Sequence, residues 1–453
     1  MYIFSYICAK TDSVFLLALC SLLTGFLRMV LMMVNLFTLI WYAGGMEATR
    51  NITPGLEPKD ASGWNKLDID RCVSQPAVYL FFMILGQSGT ALTAWLSFEY
   101  EWKYVYYFMM GILLVSILLL FITMPNYKFP GRFPINFRKF GNVTAFCVSL
   151  TCLTYVLVYG KVLDWYDDES IRWATAVSIL FAGIFLYMDA RRRSPYVLLD
   201  AFKLRTIRMG ALLYLLLMVI NSSAMFVNVF AGVGMHIDNL QNAALGNWCM
   251  VGYAIGAVLA MALGSKGLHF KYLFAMGFFF LSLSAVFMYF EVQTAGVYER
   301  LKYAVIIRAT GMMILYALTA AYANQRMSFK YLSTWICIML TVRMVVGPSI
   351  GGALYTNVLQ ERQQHYVTRY AQNVDLLNPD ASASFLGTVQ GMKYQGKSET
   401  EARNMAAIST KGRIQVQATL SALKEMAGWT IYGGLICMIF VLVIPYPKRK
   451  LLT

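Results

Sequence analysis

Charged side chains are scarce in this sequence, because Asp, Glu, Lys and Arg together make up only 13% of its 453 residues. Soluble domains carry about 25%. Hydrophobic residues account for 58% of the chain, which leaves too little polar surface to cover a globule in water. The composition therefore predicts an integral membrane protein.

Residues that bind metals or form disulfides are also few. The chain has three histidines and eight cysteines, and no two cysteines form a C-x-x-C pair. Most of the cysteines lie in apolar runs, so we expect packing residues, no metal site and no cofactor. The net charge of +15 would suit nucleic acid. However, the basic residues lie in short loops between apolar runs, which is typical of a membrane protein, so no nucleic-acid partner is expected.

Long apolar runs recur along the whole chain. A membrane-spanning helix needs about 20 apolar residues, and runs of this kind predict an all-α integral membrane protein with about 11 transmembrane helices. The predicted spans are 13–44, 76–97, 104–124, 140–160, 171–189, 209–232, 243–264, 271–290, 303–322, 331–358 and 427–445.

Lysine and arginine are concentrated in alternate loops, for example Arg191, Arg192 and Arg193 between the fifth and sixth spans. The positive-inside rule then places the C-terminus in the cytoplasm of a multi-pass protein of the cell inner membrane, in contact with the lipid bilayer. An odd number of spans puts Met1 outside, and residues 1–12 do not read as a signal peptide. We therefore expect further helices upstream of this chain.

Residues 359–426 form a long polar segment that this topology places outside. Its second part, 399–426, has helical periodicity, with Met405, Ile408, Val416, Leu420 and Leu423 roughly on one face. Two interpretations stay open: an amphipathic helix that covers the end of the bundle, or a docking surface for an extracytoplasmic adaptor protein.

Two glycine-containing stretches interrupt the apolar runs. In RMVVGPSIGGALYTN, Gly347, Gly351 and Leu354 fall on one helix face beside Gly352, a spacing that lets helix backbones approach closely. Pro348 is expected to kink this span. A weaker copy, GQSGTALTAW, contains Gly86, Gln87 and Gly89. Paired glycine- or proline-interrupted spans are typical of transporters built from repeated halves, although glycine is in any case frequent in membrane helices.

The stretch GPSIGGAL is similar to the antiporter motif of the major facilitator superfamily. The chain as a whole, roughly 13–453, resembles that family's fourteen-helix drug:proton antiporter branch. Three stretches carry this resemblance: LGQSGTALTAWLSFEYEWKYVYYFMMGILL, RRRSPYVLLDAFKLRTIRMG and RMVVGPSIGGALYTNVLQERQQHY.

The resemblance implies a major facilitator-like bundle that lacks its first three helices. Residues 1–139 would be the remainder of the N-terminal helix bundle, 140–190 two extra central helices, and 191–453 the C-terminal helix bundle with the outside loop 359–426. Where the family has its fourth-helix motif, Arg-x-x-Gln-Gly, this chain has SLLTG. Ser21 and Thr24 stand at the positions of arginine and glutamine, and Gly25 is retained. Arg28, two turns further on, is a candidate substitute.

Three arginines lie within apolar spans, namely Arg28, Arg308 and Arg343. Charges inside membranes are costly and usually functional, but they also form hydrogen bonds between helices or extend to headgroups. Four asparagines are candidates for lining a cavity, with interhelical hydrogen bonding as the alternative. They are Asn35, Asn221, Asn228 and Asn247.

The interior of the spans contains no aspartate or glutamate, while Glu99, Glu101 and Glu291 lie near span ends and are expected to be solvated. A proton-coupling carboxylate would then belong to the missing helices.

The expected function is a secondary active transporter, not an enzyme. It would export small amphipathic or toxic compounds by alternating access, driven by the proton gradient. One alternative is a truncated, non-transporting remnant of such a transporter. Another is a membrane-embedded lipid-modifying enzyme, for which His236 and Asp238 form the only candidate pair.

Overall fold

A computed structural model describes residues 1–43, 61–123, 140–192, 195, 197–294, 296–325, 329–372, 374 and 379–446. Within these ranges the chain is helical and contains no strand. Ten of the described helices are long and apolar enough to cross a membrane. The predicted fold class, an all-α multi-pass membrane protein, is confirmed at this level.

Each predicted span falls on described helix, although α3, α12 and α14 extend well beyond the predicted ends and the span 331–358 is divided between α11 and α12. In chain order they are α1 Tyr2–Lys10, α2 Val14–Ala43, α3 Ala61–Glu99, α4 Lys103–Thr123, α5 Phe140–Tyr159, α6 Glu169–Ala190, α7 Arg205–Gly234, α8 Asn239–Ser265, α9 Phe270–Glu291, α10 Tyr298–Ala323, α11 Phe329–Thr341, α12 Gly347–Gln372, α13 Pro379–Tyr394 and α14 Glu399–Val443. Short 3₁₀ and π turns occur within α7, and a π turn joins α11 to α12.

Helix α10 forms the centre of the C-terminal part of the chain. It packs against α3, α7, α8 and α9, and its residues from Ala309 to Ala323 are buried almost without interruption. Glycines permit the closest approach: a Cβ at Gly256 of α8 would lie 2.6 Å from the carbonyl oxygen of Thr310. Contact at backbone distance is the geometry that small residues allow in membrane helix packing.

Helix α3 packs mainly against the C-terminal part of the chain, through α8 and α10. Cys72 belongs to a buried cluster there, and Tyr79 and Met83 pack against the same cluster. Helix α1 instead packs on α2 and α4. By its contacts, α3 therefore connects the segment 1–139 to the segment 191–453.

Helices α5 and α6 form a pair, held by reciprocal hydrogen bonds between the side chains and backbones of Ser149 and Ser178, both 2.9 Å long. At one end, Asp189 is 2% exposed and accepts hydrogen bonds from Asn142 Nδ2 and from the Val197 backbone, each 3.0 Å long. The prediction of spans without carboxylates is wrong here, because Asp189 is the last residue of predicted span 171–189 and is buried.

Glutamates at the helix ends follow the sequence prediction only in part. Glu99 and Glu101 are exposed as expected. Glu291 is buried, and its Oε1 lies 3.3 Å from Arg300 Nη1. The expectation of a solvated Glu291 is therefore wrong, because an ion pair offsets the cost of its burial.

The predicted loop 359–426 is mostly helical where the structure describes it. Helices α12 and α14 both continue past the predicted ends of their spans and pair with each other, while α13 packs on α14. Gln363 donates to Thr419 at 2.8 Å, and the hydroxyls of Tyr370 and Ser421 are 2.7 Å apart. We call this three-helix extension, within residues 359–426, the helical cap.

The apolar face predicted for 399–426 is only partly correct. Leu420 and Leu423 are buried, but Ile408 is 70% exposed and Met405 is also exposed. The buried positions in this part of α14 are instead Ala402 and Ala406, which pack against Val389 of α13. Small side chains there let α13 lie close to α14.

Replacement of Ala406 by aspartate is expected to release α13 from the cap. The new carboxylate would be buried beside Val389 without a partner, a loss of about 1–3 kcal/mol or more. Trypsin should then cleave at the exposed Lys393, in the last turn of α13, and Lys397, in the turn before α14, about tenfold faster or more. Asn404→Asp places the same group on the exposed side of α14 and should leave the rate unchanged; equal cleavage of both variants would contradict this packing.

Candidate functional site

The glycine motif of α12 packs directly on α7. A Cβ at Gly347 would lie 2.6 Å from Met218 Cβ, and one at Gly351 would overlap Ser222 Oγ and lie 3.0 Å from Val219 Cα. Gly352 has no heavy atom within 4 Å of such a position. The expected close approach is confirmed for two of the three glycines.

The packed face of α12 differs from the predicted face by one residue. Leu354 is 51% exposed, whereas Tyr355 is buried, and its hydroxyl lies 3.1 Å from the Thr430 hydroxyl of α14. The buried face therefore runs through Gly347, Gly351 and Tyr355 at intervals of four residues.

A π turn over Val342–Val346 precedes this motif. Pro348 has no N–H to donate to the carbonyl four residues earlier, and π bulges are one of the ways in which a helix absorbs such a defect. The wider turn carries Arg343, which is 4% exposed. Single π turns occur frequently at functional sites.

Arg343 is enclosed by tyrosines. Its guanidinium carbon lies 4.5 Å from the ring centre of Tyr316 and 5.7 Å from that of Tyr79. Its Nε and Nη1 atoms are buried and have no hydrogen-bond partner. Ring faces stabilise a nearby cation by about 0.5–2 kcal/mol, but they do not satisfy N–H donors that lie in the guanidinium plane.

Tyr316 of α10 organises these contacts. Its ring meets Tyr79 of α3 at 5.1 Å and Tyr214 of α7 at 5.8 Å, both edge to face. The Tyr214 hydroxyl also donates a 2.8 Å hydrogen bond to the Tyr316 carbonyl oxygen. Edge-to-face pairs stabilise by about 0.5–1.5 kcal/mol beyond area burial. Three helices are thus joined around Arg343.

Arg308 lies two turns earlier on α10. Its Nη1 donates to Asn221 Oδ1 of α7 at 2.8 Å, and its Nη2 lies 3.6 Å from Cys249 Sγ of α8. Its Nε is buried without a partner. Asn221 was predicted to line a cavity, and the structure places it beside one of the predicted intramembrane charges.

Arg308, Met312 and Tyr316 follow one another at intervals of four residues and therefore share one face of α10. Tyr253 of α8 donates to the Met312 sulfur at 4.0 Å. Tyr79, Met83 and Met312 each pack against both of the large buried clusters of the protein. We call this boundary the arginine seam, with the members Tyr79, Met83, Tyr214, Asn221, Tyr253, Arg308, Met312, Tyr316 and Arg343.

The arginine seam is positive. Among the described residues, neither Arg308 nor Arg343 forms an ion pair with a carboxylate. The two buried acids of the described chain are engaged elsewhere, Asp189 with Asn142 and Glu291 with Arg300.

The other predicted site residues lie away from the arginine seam, or their side chains lie outside the described residues. Arg28 is exposed on α2, and its role as an intramembrane charge stays a prediction. Asn228 is also exposed, and its place in a cavity stays a prediction. Asn247 is half-buried, with Oδ1 lacking a partner. The side chain of Asn35 lies outside the described residues.

The second glycine stretch does not repeat the packing of the first. Gly86 and Gly89 are exposed and have nothing within 4 Å of a Cβ position. Gln87 does face a neighbour, since its Nε2 would lie 3.2 Å from a Cβ at Gly246 of α8. The local similarity of the two stretches therefore does not extend to their contacts.

The pair expected for an enzyme, His236 and Asp238, lies in an exposed turn, with His236 at a φ of 53°. Within the described residues, no group of three or more His, Cys, Asp or Glu is placed to hold a metal ion.

The sequence analysis does not predict the tyrosines that surround Arg343. One signal was present, because Tyr79, Met83 and Gln87 in α3, like Arg308, Met312 and Tyr316 in α10, recur every four residues. This spacing shows a shared face on each helix but does not show that the two faces meet.

Comparison with known proteins gives no family. A scan against protein-family models finds no match, and a search of curated proteins finds no significant relative. The class that the fold and sequence define is therefore a polytopic α-helical membrane protein with a buried cationic seam.

Replacement of Gly351 by leucine is expected to separate α12 from α7. The new side chain would overlap Ser222 and Val219, and overpacking of this kind costs about 1–3 kcal/mol. The matched variant Gly352→Leu enters open space and should change stability by less than about 0.5 kcal/mol. Thermal unfolding of both variants in the same detergent measures the difference, and equal melting temperatures would show that α12 and α7 are not in close contact.

Proposed function

We propose that this chain is a secondary active transporter of the major facilitator type, which exports small amphipathic compounds by alternating access. The observation that carries the proposal is the arginine seam. A bundle of apolar helices that serves only as an anchor has no need for two guanidiniums in its interior, and intramembrane charges mark substrate or ion pathways by default.

The position of the arginine seam suits alternating access. It runs between two separate hydrophobic clusters, and the residues that bridge them include two flexible methionines, Met83 and Met312. Methionine adapts to changing shapes more readily than branched side chains. Both clusters are built from α7, α8, α9, α10 and α14, so the seam crosses the bundle midway along these helices, where the substrate sites of transporters lie.

Helix α12 is the proposed moving element. It carries Arg343 on the π turn at its start and meets α7 through Gly347 and Gly351, where few side-chain atoms interlock. A helix with a smooth glycine face can shift against its neighbour at lower cost than one with interdigitated side chains. Movement of α12 would then carry Arg343 relative to Tyr79 and Tyr316.

The proton gradient is the proposed energy source, and the cell inner membrane, with the C-terminus in the cytoplasm, is the proposed location. Both follow from the resemblance and from the distribution of basic residues. The arginine seam holds no described carboxylate that could carry the proton, so the coupling group is assigned to a part of the chain outside the seam. An extracytoplasmic adaptor would meet the helical cap, where Leu386, Tyr394 and Ile408 are exposed.

Dye efflux from cells without endogenous exporters tests the proposal. Cells that produce the chain should accumulate less of at least one dye from a panel of anionic, neutral and cationic amphiphiles, and a protonophore should abolish the difference. Gly352→Leu should retain export and Gly351→Leu should lose most of it. If the folded chain exports no dye of any charge, the proposal fails and the non-transporting remnant is favoured.

A further inference from the structure

We propose that the arginine seam binds the anionic group of an amphipathic molecule: a carboxylate, sulfonate or phosphate attached to an apolar body. The inference deepens the proposed function and rests on it, because transport gives the site its purpose. It concerns binding, however, and binding is measured separately from transport. It assigns a charge to the substrate, which neither the fold nor the glycine motif does.

The first argument is charge balance. Removing a guanidinium from water costs several kcal/mol unless an opposite charge or hydrogen bonds compensate. Arg343 is 4% exposed, and two of its buried nitrogens have no partner; Arg308 has one such nitrogen. An anion would accept hydrogen bonds from the guanidinium nitrogens that no described protein group satisfies.

The second argument is the geometry around Arg343. The rings of Tyr316 and Tyr79 cover the cation, and ring contacts hold a guanidinium while leaving its edge free to donate. Nε and Nη1 donate from different sides of the guanidinium plane, so each can contact its own oxygen acceptor. The tyrosines therefore hold Arg343 without satisfying these two donors.

The third argument is the surface between the two arginines. Eight residues separate Arg308 from Tyr316, which corresponds to about 12 Å along a helix. Met312 lies between them, and Tyr253 and Met83 approach from α8 and α3. This apolar stretch suits the body of an amphiphile, and a cationic molecule in the same place would meet two positive charges that no described carboxylate offsets.

An anionic lipid and a soluble amphipathic anion share this chemistry. The test therefore uses the purified full chain in nanodiscs of phosphatidylcholine, with or without phosphatidylglycerol. The probes are 1-pyrenebutyrate and its quaternary ammonium counterpart, which carry the same aromatic body with opposite charges. Equilibrium dialysis measures saturable binding of each.

Saturable binding of pyrenebutyrate is expected, with at least tenfold weaker binding of the cationic probe. Arg343→Gln should raise the Kd for pyrenebutyrate about tenfold or more, since hydrogen bonds to a charged group contribute about 1.5–3 kcal/mol. Arg343→Lys should retain part of the affinity, because lysine keeps the positive charge but lacks the planar guanidinium with its several N–H donors. Arg308→Gln should weaken binding in the same direction.

The matched control is Arg208→Gln, which removes an exposed arginine near the start of α7 and should leave the Kd unchanged. Monodisperse elution and an unchanged melting temperature identify the variants that are folded. Competition by phosphatidylglycerol would mark a lipid as the natural occupant, and lack of competition a soluble anion; either result supports the anion site.

Stronger binding of the cationic probe, or anion binding that is indifferent to both arginines, would overturn the inference, as would the absence of saturable anion binding. These outcomes are distinct from failure of the proposed function. Export of cationic dyes with no anion binding keeps the transporter and removes the anion site. Anion binding without export keeps the site and removes the transporter.

Discussion

A guanidinium held in an apolar interior, with no carboxylate partner among the described residues, is the constraint on which the rest of this structure depends. Arg343 loses its hydration, and the surrounding helices compensate with ring faces from Tyr316 and Tyr79. Those rings come from α10 and α3, and Tyr214 of α7 fixes Tyr316 through its backbone. A segment near the start of the described chain and the C-terminal helices are therefore held together at one cation.

The same constraint explains the irregular start of α12. Without the π turn, Arg343 would occupy a different position around the helix axis, and Pro348 would leave a hydrogen-bond defect. The glycines that follow let α12 lie directly on α7. An arrangement in which a buried charge, a widened turn and a smooth helix contact coincide is suited to two alternative positions, whereas tightly interlocked packing favours one.

The sequence predicts the helices well, because span length and apolarity depend on the bilayer more than on tertiary contacts. Arg308 and Arg343 could be singled out for the same reason, since each charge stands alone in an apolar run. Their partners could not be predicted, because Tyr79, Tyr214 and Asn221 come from other helices. The contacts of the glycines could not be predicted either. Gly86 and Gly347 lie in similar local patterns, but Gly86 faces open space and Gly347 is in tight contact with α7. The helical cap was predicted as a loop because its polarity masked helices that pack through alanines.

The most direct test of the account is a double-mutant cycle between Arg343 and Tyr316. Arg343→Met, Tyr316→Leu and the double variant are compared with the parent chain by the free energy of unfolding in mixed micelles. The account predicts a favourable coupling of about 1 kcal/mol or more, the range of a desolvated cation–π contact. Additive effects, with no coupling, would mean that the tyrosine does not hold the cation, and the arginine seam would lose its structural basis.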